Sequence, residues 1–377
     1  MDQIAEKAAV LNLLRATQVG AKKVFKLIDH FGSARMALTA DDYTLETVGE
    51  LTPDQIRGVR ESSAEGFGER QLEQAERLGV RVLLTTDEEY PALLRQSHHP
   101  AAALYVIGEP LPSDHKVVAV VGSRKSSEYG DEIAHQIGAG LARAGICVIS
   151  GMAYGIDSAA HRGTLQEGGK TIAVFGCGVD VIYPTRNRKL YDSIIRSGAV
   201  VSELFLGAGP EGKHFPMRNR LIAWMSVGTV VVEGGMKSGS LITASLALRE
   251  NREVFAVPGH PLSPGHQGCN FLLRQGAGLV RHAGDILEDL APILGLEEQQ
   301  KQVDLDLETV PADLEDDEKR IFELLDPVVK IHADTISSKL NIDTSRLGAM
   351  LLSMEFKGCI QRLPGDHYRR KTKLIWK

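Results

Sequence analysis

Six short runs rich in valine and isoleucine recur between residues 116 and 259, and most are followed by a segment long enough to form a helix. The runs are KVVAVVG, ICVISG, TIAVFG, AVVSE, TVVVEGG and EVFAVPG. Strands this uniformly apolar are buried on both faces, as in parallel sheets that are covered by their crossover helices. The pattern predicts an α/β fold built on a Rossmann-like, doubly wound, mainly parallel sheet.

The N-terminal flank has a different pattern, and it predicts a separate domain over residues 1–62. Helical periodicity there is interrupted by glycine turns at Val19-Gly20-Ala21-Lys22 and before Thr52-Pro53, where Thr52 is a suitable N-cap. This predicts an N-terminal helical domain of the helix-hairpin-helix or SAM-like type. DNA contact, a structural bundle and a protein-contact module all remain open for it. The extended Rossmann-like domain follows over residues 63–290.

The C-terminal flank predicts an acidic linker over residues 291–316 and a winged helix over residues 317–377. From Glu288 to Glu318 there are twelve acidic residues and one basic residue. Three helical stretches then precede a hairpin that turns near Pro364-Gly365-Asp366, which is a winged-helix pattern. DNA and protein remain equally open as its partner. Its candidate contact residues are Ser345, Arg346, Arg362, Arg369 and Arg370.

Charge and cysteine content exclude several classes of protein. The net charge is −6, but the acidic segment accounts for more than all of it, so a nucleic-acid ligand is not excluded. The four cysteines are far apart and form no CxxC, which argues against a disulfide scaffold or a zinc ribbon. No signal-peptide pattern or apolar run of roughly 18 residues occurs, which predicts a cytoplasmic protein without a membrane partner.

The sequence lacks the motifs of common nucleotide enzymes. The turn after the first run, Gly122–Ser127, has no second or third glycine of GxGxxG, and no GxxxxGK[ST] occurs. Asp157 and His161 lie four residues apart on one predicted helix, but two ligands are too few for a metal site. Cys177 has no evident basic partner. We therefore expect no catalytic set, no cofactor and no metal, and a protein that is not an enzyme.

Three small-residue loops follow strands of the predicted sheet and should meet at its carboxyl edge. They are Gly122-Ser123-Arg124, the loop Ser150–Gly155, and the loop Gly234–Ser240, which includes Lys237 and Ser238. Such loops present backbone N–H groups at helix N-termini and bind anions without a catalytic group. The sequence therefore predicts an anionic ligand, although Gly151 and Gly155 could individually be tight turns that packing requires.

A fourth segment, KHFPMRNR, places an aromatic ring among cations. Phe215 is flanked by Lys213, Arg218 and Arg220, with Asn219 between the arginines. An aromatic ring can stack on an unpaired base while nearby cations hold the backbone. Three cations in eight residues would be costly in a core, which favours a surface site. The alternative is a core phenylalanine with solvated arginines.

These blocks together closely resemble the DNA-processing protein A (DprA/Smf) family. The resemblance spans about residues 87–285 and rests on six blocks in the expected order: VAVVGSRKSSEYG, VISGMAYGIDSAAHRGTL, TIAVFGCGVDVIYPTRNRKL, FPMRNRLIA, EGGMKSGSLITASLA and VFAVPGHPLSPGHQGCNFLLRQGA. It implies a cytoplasmic, homodimeric mediator that binds single-stranded DNA, protects incoming strands in natural transformation and helps load the RecA recombinase. It implies DNA contacts from Ser123, Arg124, Gly151, Gly155, Phe215, Arg218, Asn219, Arg220, Lys237, Ser238 and Ser240, with Lys213 and Lys170 as weaker candidates.

Two other functions remain as alternatives. The EGGMKSGS loop also resembles the phosphate loop of nucleoside-monophosphate phosphoribohydrolases, which predicts nucleotide cleavage with a carboxylate such as Glu233 near the ribose. In the other alternative the Rossmann-like body is an interaction scaffold and the winged helix alone carries DNA.

Overall fold

The computed structural model describes residues 3–16, 20–112, 116–295, 314–326 and 329–370. The chain divides into two compact units, Met1–Glu298 and Gln299–Lys377. Within the described ranges, no helix has the length and apolar character that crossing a membrane requires.

Six helices open the first unit: α1 (Gln3–Arg15), α2 (Ala21–Phe31), α3 (Ala34–Thr39), α4 (Asp42–Gly49), α5 (Pro53–Ala64) and α6 (Phe67–Arg77). Thr52 caps α5 in a capping box with Gln55, as the sequence predicts. The Asn12 side chain accepts hydrogen bonds from the Ser62 hydroxyl (3.2 Å) and the Gly68 N–H (2.8 Å), joining α1, α5 and α6. The boundary predicted after residue 62 therefore lies inside α5, and helical packing continues through α6. Val19 of the first predicted turn lies outside the described residues.

A nine-stranded mixed sheet follows, with strand order β1-β2-β6-β5-β4-β3-β7-β8-β9. Its strands are β1 (Val80–Leu84), β2 (Ala103–Gly108), β3 (Val117–Val121), β4 (Cys147–Ser150), β5 (Thr171–Val174), β6 (Ala199–Ser202), β7 (Gly228–Val231), β8 (Glu253–Ala256) and β9 (Gly278–Leu279). The seven strands from β6 to β9 in this order are mutually parallel, whereas β1 and β2 pair antiparallel. The mainly parallel, doubly wound sheet is confirmed.

Helices cover both faces of the sheet. They are α7 (Ala92–Arg95), α8 (Glu128–Arg143), α9 (Ile156–Gln166), α10 (Arg188–Ser197), α11 (His214–Trp224), α12 (Gly239–Arg249), α13 (Gln267–Arg274) and α14 (Ala283–Leu294). The N-terminal helices share one hydrophobic core with the sheet, because Leu11 and Leu27 belong to the same buried cluster as Tyr105 and Phe175. The helical domain and this side of the sheet therefore fold around common contacts.

The second unit contains α15 (Asp316–Leu324), β10 (Ile331–His332), α16 (Ala333–Leu340), α17 (Thr344–Phe356), β11 (Ile360–Leu363) and β12 (His367–Arg370). The predicted hairpin is confirmed, with β11 and β12 antiparallel and Gly365 and Asp366 at positive φ between them. Most of the predicted linker, residues 296–313, and residues 371–377 of the tail lie outside the described residues.

Within this unit, four of the predicted contact residues are arginines that already have partners. Arg346 pairs with Asp317 (2.8 Å) and Arg362 with Asp366 (2.5 Å). Arg369 donates to Gln361 (2.9 Å), and the guanidinium of Arg370 lies 5.0 Å from the centroid of the Phe322 ring. Ser345 lies in the first turn of α17 and its N–H donates to the Asp343 carboxylate (2.9 Å).

His161 gives the first unit a predictable sensitivity to acid. The side chain is fully buried and Nδ1 lies 2.7 Å from the Thr171 hydroxyl, and burial lowers the histidine pKa from 6.5 to about 3. Between pH 6.5 and 3 the histidine is therefore protonated in the unfolded chain but neutral in the folded chain. The free energy of unfolding consequently decreases as pH falls through this range. We expect His161 to contribute a loss of about 1.4 kcal/mol per pH unit in that window.

Urea unfolding at pH 7.5, 6 and 5 measures this loss. His161→Asn removes the titrating group, so its stability should fall less steeply between pH 6 and 5 than that of the wild type. Parallel pH dependences would contradict the assignment of a buried, neutral histidine.

Candidate nucleic-acid interface

The three predicted loops follow β4, β3 and β7, which are neighbours in the sheet and end at its carboxyl edge, and β5 ends beside β4 at the same edge. Ser123 follows β3, Gly151 follows β4 and Gly176 follows β5. The Ile156 N–H at the start of α9 donates to the Ser123 carbonyl (3.2 Å), which joins the first two loops. Gly155 has φ +73°, and a Cβ there would strike that same carbonyl, so packing requires this glycine.

The start of α11 lies against this edge, and together they line an open pocket. The ring of Phe215 lies against Gly176, where an added Cβ would be 3.0 Å from Phe215 Cδ1. Segments that are distant in sequence thus converge on one cavity. Its lining residues are Arg124, Gly151, Ala153, Tyr154, Phe175, Gly176, Cys177, Tyr183, Pro184, Phe215 and Arg218.

Arg124 and Phe215 form the contact at the centre of the pocket. The exposed guanidinium of Arg124 lies 5.1 Å from the centroid of the Phe215 ring. The Tyr183 ring packs beside Phe215 with centroids 5.5 Å apart and planes inclined at 40°. A cation and an aromatic ring, the two kinds of group that hold the phosphates and bases of single strands in other proteins, are therefore adjacent.

Arg218 departs from the predicted surface position, because the residue is only 5% exposed. Its guanidinium donates to the Gly151 carbonyl (2.9 Å) and to the Val174 carbonyl, so it is fastened to the ends of two strands. Burial lowers the arginine pKa to about 10, and the nearby Asp157 carboxylate opposes that shift. Two backbone carbonyls and a buried carboxylate compensate the charge of the buried guanidinium. The spacing of residues in the sequence does not predict these contacts.

The loops offer fewer open N–H groups than the sequence suggests. The Asp157 carboxylate accepts from the Gly151 N–H (3.1 Å) and the Ala153 N–H (3.4 Å). The Ser123 N–H donates to the Glu233 carbonyl (2.7 Å), and the Ser127 N–H donates to the Glu233 carboxylate (3.0 Å). Anion binding at this edge therefore depends more on side chains than the predicted nests imply.

The third predicted loop lies next to α11. Ser238 caps α12 by accepting from the Ser240 N–H (3.3 Å), and Ser240 itself is buried. Lys237 is exposed beside them. The Asn219 side-chain amide donates to the Gly239 carbonyl (3.4 Å), which connects this loop to the helix that carries Phe215.

Four predicted cations are not among the pocket's lining residues: Lys237 of the loop just described, and Arg220, Lys213 and Lys170. Arg220 pairs with Glu203 and donates to the His99 carbonyl (2.9 Å). Lys213 pairs with Glu211 (2.8 Å) at the exposed N-cap of α11. Lys170 immediately precedes β5 and so lies at the amino edge of the sheet, opposite the pocket.

The pocket also contains residues that sequence reasoning did not single out, chiefly Tyr154, Tyr183 and Cys177. The loop of Tyr154 contains no cation, whereas Arg186 follows three residues after Tyr183. Burial raises the pKa of the Cys177 thiol to about 11, which keeps it protonated and unreactive at neutral pH. In the described part of the chain, no cluster of three or more histidine, cysteine or acidic side chains could hold a metal ion.

Comparison with known proteins assigns all three parts of the chain to one family. The model for DNA recombination-mediator protein A matches residues 81–291. The models for the DprA winged helix domain and the DprA-like N-terminal HHH domain match residues 306–366 and 4–40. These matches confirm both the predicted winged helix and the helical N-terminal domain.

Individual relatives agree with the family models. Protein Smf of Synechocystis sp. is 31% identical over 97% of this chain and 99% of its own length. DNA processing protein DprA of Streptococcus pneumoniae is 42% identical over 54% of this chain and 72% of its own length.

Two solved structures agree as well. The X-ray structure of S. pneumoniae DprA matches with a TM-score of 0.66 and 31% identity over 75% of this chain and 97% of that one. DNA processing protein A of Helicobacter pylori, whose structure concerns its single-stranded DNA binding mode, matches with a TM-score of 0.51 and 27% identity over 57% of this chain and 96% of that one. The chain therefore belongs to the DNA recombination-mediator protein A (DprA/Smf) family.

Proposed function

We propose that this protein binds single-stranded DNA in the pocket at the carboxyl edge of the sheet. The observation that carries the proposal is the contact between the exposed Arg124 guanidinium and the Phe215 ring, 5.1 Å from the ring centroid. An incoming phosphate draws the guanidinium away from the ring, and an unpaired base stacks on the face that it leaves. Phosphate and base binding are then coupled through one side chain.

Within this proposal the predicted residues have two kinds of role. Arg124 and Lys237 are exposed cations for phosphates, with Ser123, Ser238 and Asn219 beside them. Arg218 and the glycines act indirectly by holding the shape of the pocket, since Arg218 is fastened to backbone carbonyls. Arg220 and Lys213 have acidic partners and contribute less.

The biological role that we propose follows from the family. The protein protects incoming single strands during natural transformation and helps load the RecA recombinase, as a homodimer in the cytoplasm. Membership of the family and the likeness to Helicobacter pylori DNA processing protein A, whose structure concerns its single-stranded DNA binding mode, support this role. Reconstituted RecA filament formation on strands precoated with another single-strand-binding protein tests it, and acceleration by this protein is the expected result.

We also propose that the protein acts without catalysing nucleotide cleavage. The Glu233 carboxylate, the candidate of the hydrolase alternative, is buried and accepts hydrogen bonds from the Ser127 hydroxyl (2.7 Å) and N–H (3.0 Å). These contacts give it a structural role at the start of α8. Incubation with AMP should release no adenine, and release of adenine would favour the hydrolase.

Salt dependence tests the electrostatic part of the proposal. The logarithm of affinity for oligothymidine should fall against the logarithm of salt concentration with a slope of about −0.7 per phosphate contact, hence about −1.4 if Arg124 and Lys237 each hold one phosphate. Lys237→Gln should reduce the slope by about 0.7. Fluorescence anisotropy of a labelled strand measures both values.

The anisotropy titration is repeated with a duplex of equal length, and its affinity is compared with that of the single strand. Its bases are paired and cannot enter the pocket, so its affinity should be much lower at every salt concentration. Equal affinity for both forms, or a slope near zero, would contradict the proposal.

A further inference from the structure

Two tyrosines at the mouth of the pocket expose part of their aromatic rings. Tyr154 is 44% exposed and Tyr183 is 40% exposed, and both line the cavity that contains Arg124 and Phe215. Leaving apolar surface in water is unfavourable. Exposed apolar groups that cluster beside a cavity mark ligand-binding surfaces.

The loops that carry the two rings are fastened to each other. The buried Asn187 side chain donates to the Met152 carbonyl (2.9 Å) and to the Ser158 hydroxyl (2.9 Å). Residues 152–158 include Tyr154, and Asn187 ends the turn that follows Tyr183. The rings are thus presented on a framework that is already formed, which lowers the entropy cost of binding.

The tyrosines differ from Phe215 in their position within the pocket. Phe215 packs against Gly176, and Arg124 covers part of its ring, whereas Tyr154 and Tyr183 remain open to solvent. The contact between Tyr183 and Phe215, with centroids 5.5 Å apart, makes the aromatic surface continuous from the interior to the mouth. A base bound at Phe215 would therefore have a neighbouring aromatic surface for the next base.

We propose that Tyr154 and Tyr183 form a second base-stacking site at the mouth of the pocket, which takes the unpaired nucleobase adjacent to the one at Phe215. The inference rests on the proposed function. Because every base has a π-face, such a site accepts any sequence of adjacent unpaired bases. It excludes duplex DNA for the same reason as Phe215 does.

Leucine substitutions in the full-length chain separate stacking from packing. Tyr183→Leu keeps an apolar contact with Phe215 but cannot stack on a base, whereas Tyr183→Phe retains the ring. We expect Tyr183→Leu and Tyr154→Leu each to weaken binding of oligothymidine about tenfold, in line with the loss of one stacked base. Tyr183→Phe should bind within about twofold of the wild type. The matched control is Tyr43→Leu on α4, where the tyrosine is 75% exposed outside the pocket.

Photocrosslinking supplies a readout that a purely structural role would not produce. Oligothymidine substituted with 5-iodouracil should crosslink to Tyr154 and Tyr183 in the wild type, as located by mass spectrometry of the peptides. Wild-type affinity of both leucine variants, or crosslinks confined to other residues, would overturn the inference. If the inference is overturned but Arg124→Glu still abolishes binding of single-stranded DNA, the proposed function stands. If the wild type binds no single-stranded DNA, the proposed function and the inference both fail.

Discussion

Arg124→Glu should weaken binding of single-stranded DNA by about 100-fold or more. The substitution removes a hydrogen bond to a charged phosphate, worth about 1.5–3 kcal/mol. It also places a carboxylate beside the Phe215 ring, where the proposed mechanism requires a base and a phosphate. Since about 1.4 kcal/mol corresponds to a factor of ten, the two losses together exceed two orders of magnitude.

Arg196→Glu provides the matched control. Arg196 lies in the last turn of α10, just before β6 begins, and is therefore at the opposite edge of the sheet. The Arg196→Glu substitution changes the net charge by the same amount as Arg124→Glu. It should alter the affinity for single-stranded DNA by no more than about twofold at moderate salt, where distant charges are screened. Anisotropy of labelled oligothymidine compares the two variants. Equal losses for both would show that overall charge, rather than the pocket, governs binding.

Arg218→Ala should destabilise the first unit by about 3–5 kcal/mol at neutral pH, because it removes one partner of a buried pair of charges. The Asp157 carboxylate would remain buried without its nearby cation, and the Gly151 and Val174 carbonyls would lose their donor. Urea unfolding followed by circular dichroism measures the effect. DNA binding should also weaken, because Gly151 lines the pocket.

The pH dependence of the stability of Arg218→Ala tests whether the loss of charge compensation causes the destabilisation. Burial already raises the pKa of Asp157 above 3.8, and Arg218 opposes that shift. Without the arginine the folded-state pKa rises further, so stability is retained at low pH and lost as pH increases through that pKa. The destabilisation should therefore be smallest near pH 4 and increase as pH rises towards the folded-state pKa. Asp157→Asn should restore part of the lost stability in the Arg218→Ala background, and no recovery would contradict the charge-based explanation.

Much of the fold could be predicted because the central strands are apolar runs bounded by glycine loops. β2 was not predicted, since ALYVIG follows the turn-rich segment SHHPAA and its antiparallel pairing with β1 has no local signal. The three loops were expected to lie at one edge of the sheet, because parallel strands end there, whereas the strand pattern did not predict that Phe215 would lie beside them.

The position of Arg218 could not be predicted from the sequence. A run of cations in a sequence ordinarily indicates an exposed segment. The two carbonyls that accept hydrogen bonds from the Arg218 guanidinium lie at the ends of β4 and β5, which are far from Arg218 in the sequence. Tyr183 was missed for a similar reason. Its role depends on the tertiary contact with Phe215 and on the bond from Asn187 to the loop of Tyr154. Single-sequence patterns carry no information about either contact.

The core shared by the N-terminal helices and the sheet limits how this protein can be shortened. Phe175, Cys177 and Met152 belong to that core, and the first two also line the proposed DNA-binding pocket. A truncated chain that begins at β1 would expose part of this shared core, with α10 remaining as a cover of the same face of the sheet. A relative that dispenses with the helices must fill this space with other side chains. Substitutions at Leu11 or Leu27 could accordingly alter DNA affinity from a distance, through the support that they give to the wall of the pocket.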